Sequence, residues 1–219
     1  AHFAGHTSVT GARFDGDTSF DQARFAGDAW FTGVRFAGEP GFTGAWFSGA
    51  RFAGDAWFGG ARFAGDAWFG AHFDGRAEFV GARFTGSALF GGAHFTGPAR
   101  FHIAHFDGDT SFRNARFDGD TSFRDAHFTK RAWFDDAHFA SAQDVFEKAH
   151  FEGESVALDN TYFDVAPADF PECEVCNELR ASQGTAGVQV TGRRGCRGCR
   201  RWLRCWREVV EFRRGKAVR

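Results

Sequence analysis

Phenylalanine recurs along this chain with an alternating step: Phe14, Phe20, Phe25, Phe31, Phe36, Phe42 and Phe47 are separated by six and five residues in turn. The repeating unit is therefore 11 residues long, and the pattern runs to about Phe151. Ala23-Arg24-Phe25-Ala26-Gly27-Asp28-Ala29-Trp30-Phe31 is matched far downstream by Ala115-Arg116-Phe117-Asp118-Gly119-Asp120-Thr121-Ser122-Phe123. A helix cannot use this spacing, because at about 100° per residue the alternating steps scatter Phe around the cylinder. Gly two residues after Phe weakens a helix further. A single long strand fails too, since a step of five reverses the face and a step of six keeps it. What remains is a chain that turns a corner after every Phe.

In such a coil each five- or six-residue segment forms one side. Phe and the small residue two before it point inward, the residue just before Phe points outward, and Gly sits near the corner, where positive φ costs it least. Coils stacked at about 4.8 Å pair their backbones and pile Phe on Phe. One coil alone buries nothing, so the fold needs the stack. The tandem Ala-Arg-Phe-Ala-Gly and Ala-His-Phe-Asp-Gly segments resemble the pentapeptide-repeat family in its Phe-centred, actinobacterial form, over roughly residues 1–163. The resemblance implies an all-β fold: a right-handed quadrilateral β-helix, a solenoid over residues 1–165 with two 11-residue units per coil. About seven coils would make a rod on the order of 35 Å long. Its core columns would hold Phe25, Phe31, Phe36, Phe42, Phe47, Phe106, Phe112, Phe117 and Phe123. The alternation breaks at Phe47–Phe52, Phe69–Phe73 and Phe139–Phe146, where bulges or shifted corners of structural effect are expected.

Composition agrees: 30 Phe and 29 Gly stand beside one Tyr, four Pro and no Met in 219 residues, unlike an ordinary globular domain. The pattern is already running at Ala1-His2-Phe3, as expected of a fragment or processed product. No apolar run is long enough for a membrane span and no signal peptide can be read, so a soluble, cytoplasmic protein is expected. Residues 1–165 carry 22 acidic against 14 basic residues, while residues 166–219 carry 6 against 12. All nine His lie in the first part and all five Cys in the second. Two regions of different physics thus meet near Asp164–Pro171. No phosphate loop, nucleophile triad or carboxylate pair separates from the repeats, so no enzyme is expected.

Function would then live on outward positions. Trp30, Trp46, Trp57, Trp68 and Trp133 each precede a Phe and are candidate contact residues. His72, His94, His105, His127, His138 and His150 occupy the same slot, with His105 and His127 one nominal coil apart. A stacked His ladder of this kind either binds metal or forms a solvated polar row that alternates with Arg. Acidic residues recur as Asp17/Asp28, Asp55/Asp66 and Asp109/Asp120. Some pentapeptide-repeat proteins mimic a DNA duplex and bind gyrase, so a topoisomerase is one partner the resemblance implies. A duplex of about 35 Å carries on the order of 20 phosphate charges, however, against a net −8 over residues 1–165. A protein-binding scaffold with an unidentified protein partner and no small-molecule substrate is the leading expectation.

The tail supplies the remaining alternatives. Cys173, Cys176, Cys196 and Cys199 form two CxxC pairs at a spacing that suits a four-thiolate zinc site, making zinc the one cofactor in view. An irregular linker is expected over 166–192 and a basic Cys- and Trp-containing tail over 193–219. Trp202, Leu203, Trp206, Val209 and Val210 would share one face of a short helix among Arg200, Arg201, Arg204 and Arg207. That helix would cap the last coil or pair two rods as a homodimer, and its charge also suits recruitment to nucleic acid.

Overall fold

The computed structural model describes residues 1–37, 44–141, 145–153 and 156–164, together with the backbone of strands Val188–Thr191 and Glu211–Arg214. Short strands follow one another at every side: His2–Phe3, Thr7–Ser8, Arg13–Phe14 and Thr18–Ser19 complete the first coil. Arg24–Phe25 then lies beside His2–Phe3 in parallel register, His2 against Arg24 and Phe3 against Phe25. Four faces result. Two are seven-stranded parallel sheets, and the other two are joined into one 15-stranded sheet by Arg116–Ser122, which runs through a corner as a single strand. This is the expected all-β solenoid of about seven coils, with no helix among the described residues. No helix there is long and apolar enough to cross a membrane.

The interior is four columns of aromatic rings. On the first face Phe3, Phe25, Phe52, Phe73, Phe95, Phe117, Phe139 and Phe163 stack, with neighbouring centroids 4.7–5.1 Å apart. Rings of the second and fourth faces meet edge-to-face across the middle, as Phe79 and Phe90 do at 5.3 Å and 88°. Both geometries suit the ring quadrupole, whose negative face prefers an offset stack or a positive edge. The residue two before each Phe, most often Ala, fills the space between columns; Ala29, Ala56, Ala77 and Ala99 are all fully buried, and Val34 and Thr110 take the same slot. Small and large residues thus interdigitate in layers, which is why little Val, Ile or Leu is needed.

Corners come in two kinds, and glycine has a different reason in each. At five-residue steps the residue two after Phe is left-handed and the following Ala donates its N–H back to Phe, as Ala61 does to Phe58 O at 3.1 Å. That slot accepts Gly60 (φ 63) but also Gln22 (φ 56), Asn114 (φ 56) and Asp125 (φ 52). At six-residue steps the Gly two after Phe lacks positive φ and is held by close approach. A Cβ on Gly97 would sit 2.4 Å from Gly75 O, and one on Gly119 2.5 Å from Gly97 O. The expectation that positive φ explains the corner glycines is therefore corrected for the six-residue corners from Gly27 to Gly119: there the backbone of the preceding coil crowds the place of a Cβ, although Lys130 takes the same slot further along the stack.

The irregularities are also relocated. Partners on every face jump by 27 residues across the second coil, as in Arg24↔Arg51, Ala29↔Ala56 and Arg35↔Arg62, against 22 in His2↔Arg24. The extra chain lies between Ala37 and Gly44 and not at Phe47–Phe52, whose corner with Gly49 is an ordinary left-handed one. Phe20 stacks directly on Phe47 and Phe36 on Phe63, and Phe42 lies outside the described residues. At Phe69–Phe73 the left-handed residue is missing and Ala71 N–H reaches Phe69 O at 2.7 Å, closing the corner with one residue fewer. At the third break Phe146 still stacks on Phe123. The stack absorbs all three.

Beyond the last coil, Val188–Thr191 extends the first face antiparallel to Tyr162–Phe163, and Glu211–Arg214 pairs antiparallel with Val188–Thr191. The four zinc-candidate cysteines and the Trp202–Val210 helical face, with the dimer contact assigned to it, lie outside the described residues.

Candidate binding faces

Each coil places one outward side chain per face just before its Phe, so the faces can be read as rows. The third face reads Arg13, Arg35, Arg62, Arg83, His105, His127 and His150 in consecutive register. Every rung is basic. The first face is nearly so, from His2 and Arg24 through Arg51, His72, His94 and Arg116 to His138. The second face carries Trp30 and Trp57 before Glu78 and Arg100. The fourth carries Trp46 and Trp68, then Leu89, Ser111 and Trp133.

The Trp side chains are half-buried. Trp46 and Trp68 stack face to face at 5.1 Å and 11°, so each covers the other rather than lying flat on the sheet. Trp133 is held between Arg113 and Arg131, whose guanidinium carbons stand 4.8 and 5.2 Å from its centroid. Trp30 touches His6, and Trp57 lies under Arg76.

His105, His127 and His150 stack at 4.9 and 4.6 Å with nearly parallel rings. Metal binding does not suit this geometry. Tetrahedral zinc needs in-plane nitrogen lone pairs that converge on one point, whereas parallel stacked rings lie in separate planes that do not meet at one. Among the described residues no three His, Cys, Asp or Glu converge on a metal position. Burial lowers the His127 pKa below the ordinary imidazole value, and the neighbouring His150 and His105 lower it further, against smaller opposing effects of Glu152 and Asp125. The folded state thus resists protonating His127 more than the unfolded chain does. Stability associated with this group is fully present above the ordinary His pKa and is lost as pH falls through it toward the depressed folded value. Thermal unfolding of the wild type is expected to shift to lower temperature between pH 8 and pH 5, with a shallower shift in His127→Gln; equal slopes would contradict this.

Five of the six recurrent Asp residues are committed to the scaffold, Asp120 being the exception. Asp28, Asp55 and Asp66 each accept a backbone N–H from the next coil, from Asp55, Arg76 and Ser87 at 2.9, 2.9 and 2.7 Å. Asp17 does the same for Gly44 and Asp109 for Arg131. Others pair with row residues: Asp74 with Arg51, Asp107 with Arg83, and Asp118 with both His94 and Arg116. Burial would raise the Asp118 pKa, but hydrogen bonds from His94 and Arg116 outweigh it and hold the carboxyl below its usual range.

Sequence reasoning missed the continuous basic row, because the 27- and 21-residue coils break the arithmetic of 22. Tracking the residue before Phe coil by coil, with those two lengths allowed, would have found it. It also missed Ile103, a β-branched residue at φ 48 that is 51% exposed.

A parallel β-solenoid with four residue rows per coil is defined by repetition along an axis, each coil contacting its neighbours. Residues 1–46 and 103–143 match the family model described as pentapeptide repeats (9 copies). No curated protein and no solved structure matches the chain.

Proposed function

We propose that the rod is a non-catalytic scaffold that presents ordered rows of Arg, His and Trp to a macromolecular partner. The carrying observation is the division of residue types: inward positions hold Phe and Ala, while these recognition residues stand at outward rungs in unbroken register. Arg and Trp are the residues that concentrate binding energy at interfaces. Duplex mimicry directed at a topoisomerase is the weaker reading. It needs an acidic face, whereas the first and third faces are basic and many Asp carboxylates already accept backbone N–H bonds.

Photo-crosslinking tests the scaffold reading. A benzophenone amino acid placed in turn at Trp46, His105 and His138 samples the fourth, third and first faces of the folded chain in cell extract. Discrete adducts that differ between faces are expected, and an absence of adducts from all three positions would overturn the reading. In a gyrase supercoiling assay at micromolar protein no effect is expected; inhibition would put duplex mimicry first.

A further inference from the structure

We propose that the ridge between the second and third faces, at the second and third coils, binds single-stranded nucleic acid. The inference rests on the scaffold reading and names the chemistry of one partner. Trp30 and Trp57 are register neighbours on one side of the ridge. Arg35 and Arg62 are register neighbours on the other, five residues further along the chain. The corner between them is bare: Thr32-Gly33 in one coil and Gly59-Gly60 in the next, with open space around Gly33 and Gly60. Aromatic surface and positive charge therefore lie side by side on two consecutive rungs with nothing rising between them.

Arg35 and Arg62 differ from the other arginines of their row. Arg13 pairs with Asp15 and Arg83 with Asp107. At Arg35 and Arg62 the position two residues on is Ala37 or Ala64, and neither guanidinium has an ion-pair partner among the described residues. Both are exposed. Within this row the two arginines available to an external anion are thus the two that stand beside tryptophans. Below them the row continues through Arg83, His105, His127 and His150.

Single strands fit this arrangement better than the other polyanions. A polynucleotide strand offers phosphates to Arg and bases to Trp, the combination used in sequence-tolerant recognition. An acidic polypeptide satisfies Arg but offers no planar group to add to the His6 and Arg76 contacts of the indoles. The row runs in unbroken parallel register over seven rungs, about 29 Å at 4.8 Å per step. A duplex backbone winds through nearly a full turn of about 34 Å over that length, so each strand meets a row on one face about once. A flexible single strand can follow it.

The test is fluorescence anisotropy of a fluorescein-labelled 20-nucleotide thymidine oligomer with the full chain, titrated with salt. Arg35→Ala combined with Arg62→Ala is expected to weaken binding at least tenfold and to lower the slope of log affinity against log salt by about 1.4, two phosphates at 0.7 each. Trp30→Ala combined with Trp57→Ala should weaken binding about tenfold with an unchanged slope. Arg24→Ala, an exposed arginine on the first face, should have no effect. Circular dichroism melts show whether each variant remains folded. Absence of oligomer binding overturns the proposal, as does binding that survives both double variants, which would place it on the basic tail. Competition by polyglutamate as effective as unlabelled oligomer, with no effect of the Trp pair, would assign the ridge to acidic proteins. None of these outcomes decides the crosslinking result from the first and fourth faces, so the two readings fail separately.

Discussion

Phe90→Ala is expected to lower the unfolding free energy by about 4 kcal/mol. Phe90 is fully buried, stacks on Phe69 at 4.9 Å and Phe112 at 4.7 Å, and takes the edges of Phe79 and Phe101 at 5.3 and 5.4 Å. Truncation removes the transfer free energy of the ring and leaves a cavity. The cavity cannot collapse, because coil spacing is set by backbone hydrogen bonds, such as Phe90 N–H to Ser111 O at 2.7 Å, that the substitution leaves in place. Urea denaturation should show a reduced midpoint with little change in slope. Phe3→Ala is the comparison: Phe3 is only partly buried and stacks on Phe25 alone in its column, so its loss should cost about 1 kcal/mol. Equal effects at the two positions would show that the columns do not carry the stability.

Gly97→Ala should cost about 3 kcal/mol although it adds a single methyl group. The new Cβ would stand 2.4 Å from Gly75 O and 2.6 Å from Gly75 C, and backbone cannot rotate away as a side chain can. Relief would come only from separating the two coils at that corner, which weakens neighbouring ladder bonds. Gly92→Ala provides the contrast. Its Cβ would meet nothing within 4 Å, but φ is 68, so only left-handed strain remains, about 1 kcal/mol. Gly92→Asn should be nearly neutral, since Asn114 and Asn160 occupy equivalent slots at φ 56 and 57. Chemical denaturation of the three variants measures the order directly. If Gly97→Ala were no worse than Gly92→Ala, close packing would not be the reason for the six-residue-step glycines.

Much of this architecture was legible because Phe spacing encodes corner spacing. A five-residue step requires a left-handed residue and a six-residue step does not, so the alternation carries the coil geometry itself. The same regularity concealed the insertion before Gly44. Phe42 continues the alternation of sixes and fives, while in space Phe20 stacks straight onto Phe47. Periodicity along a chain reports local geometry, and stacking is a relation between residues 21 to 27 apart. For that reason the pairing of Trp46 with Trp68, 22 apart, could be anticipated. The adjacency of Arg35 and Arg62, 27 apart, could not. The recurrent Asp residues suggested a charged surface, but which of them accept backbone N–H bonds depends on the depth of the corner, a property of the stacked coils. The cysteine spacing of the tail stands on its own, since those residues lie outside the ones the structure describes.

The parallel register has an implication for modularity. Because each strand lies over the equivalent strand of the previous coil, a side chain's position reduces to two coordinates: which face and which rung. Corners that gain or lose residues, as at Phe69–Phe73, change the numbering without moving any later residue to another face. Duplicating one coil, such as residues 72–93, would add a rung to all four rows at once and leave every other address unchanged. In such an addressable lattice a recognition pattern can be lengthened, shortened or shifted along the axis without redesigning the core beneath it.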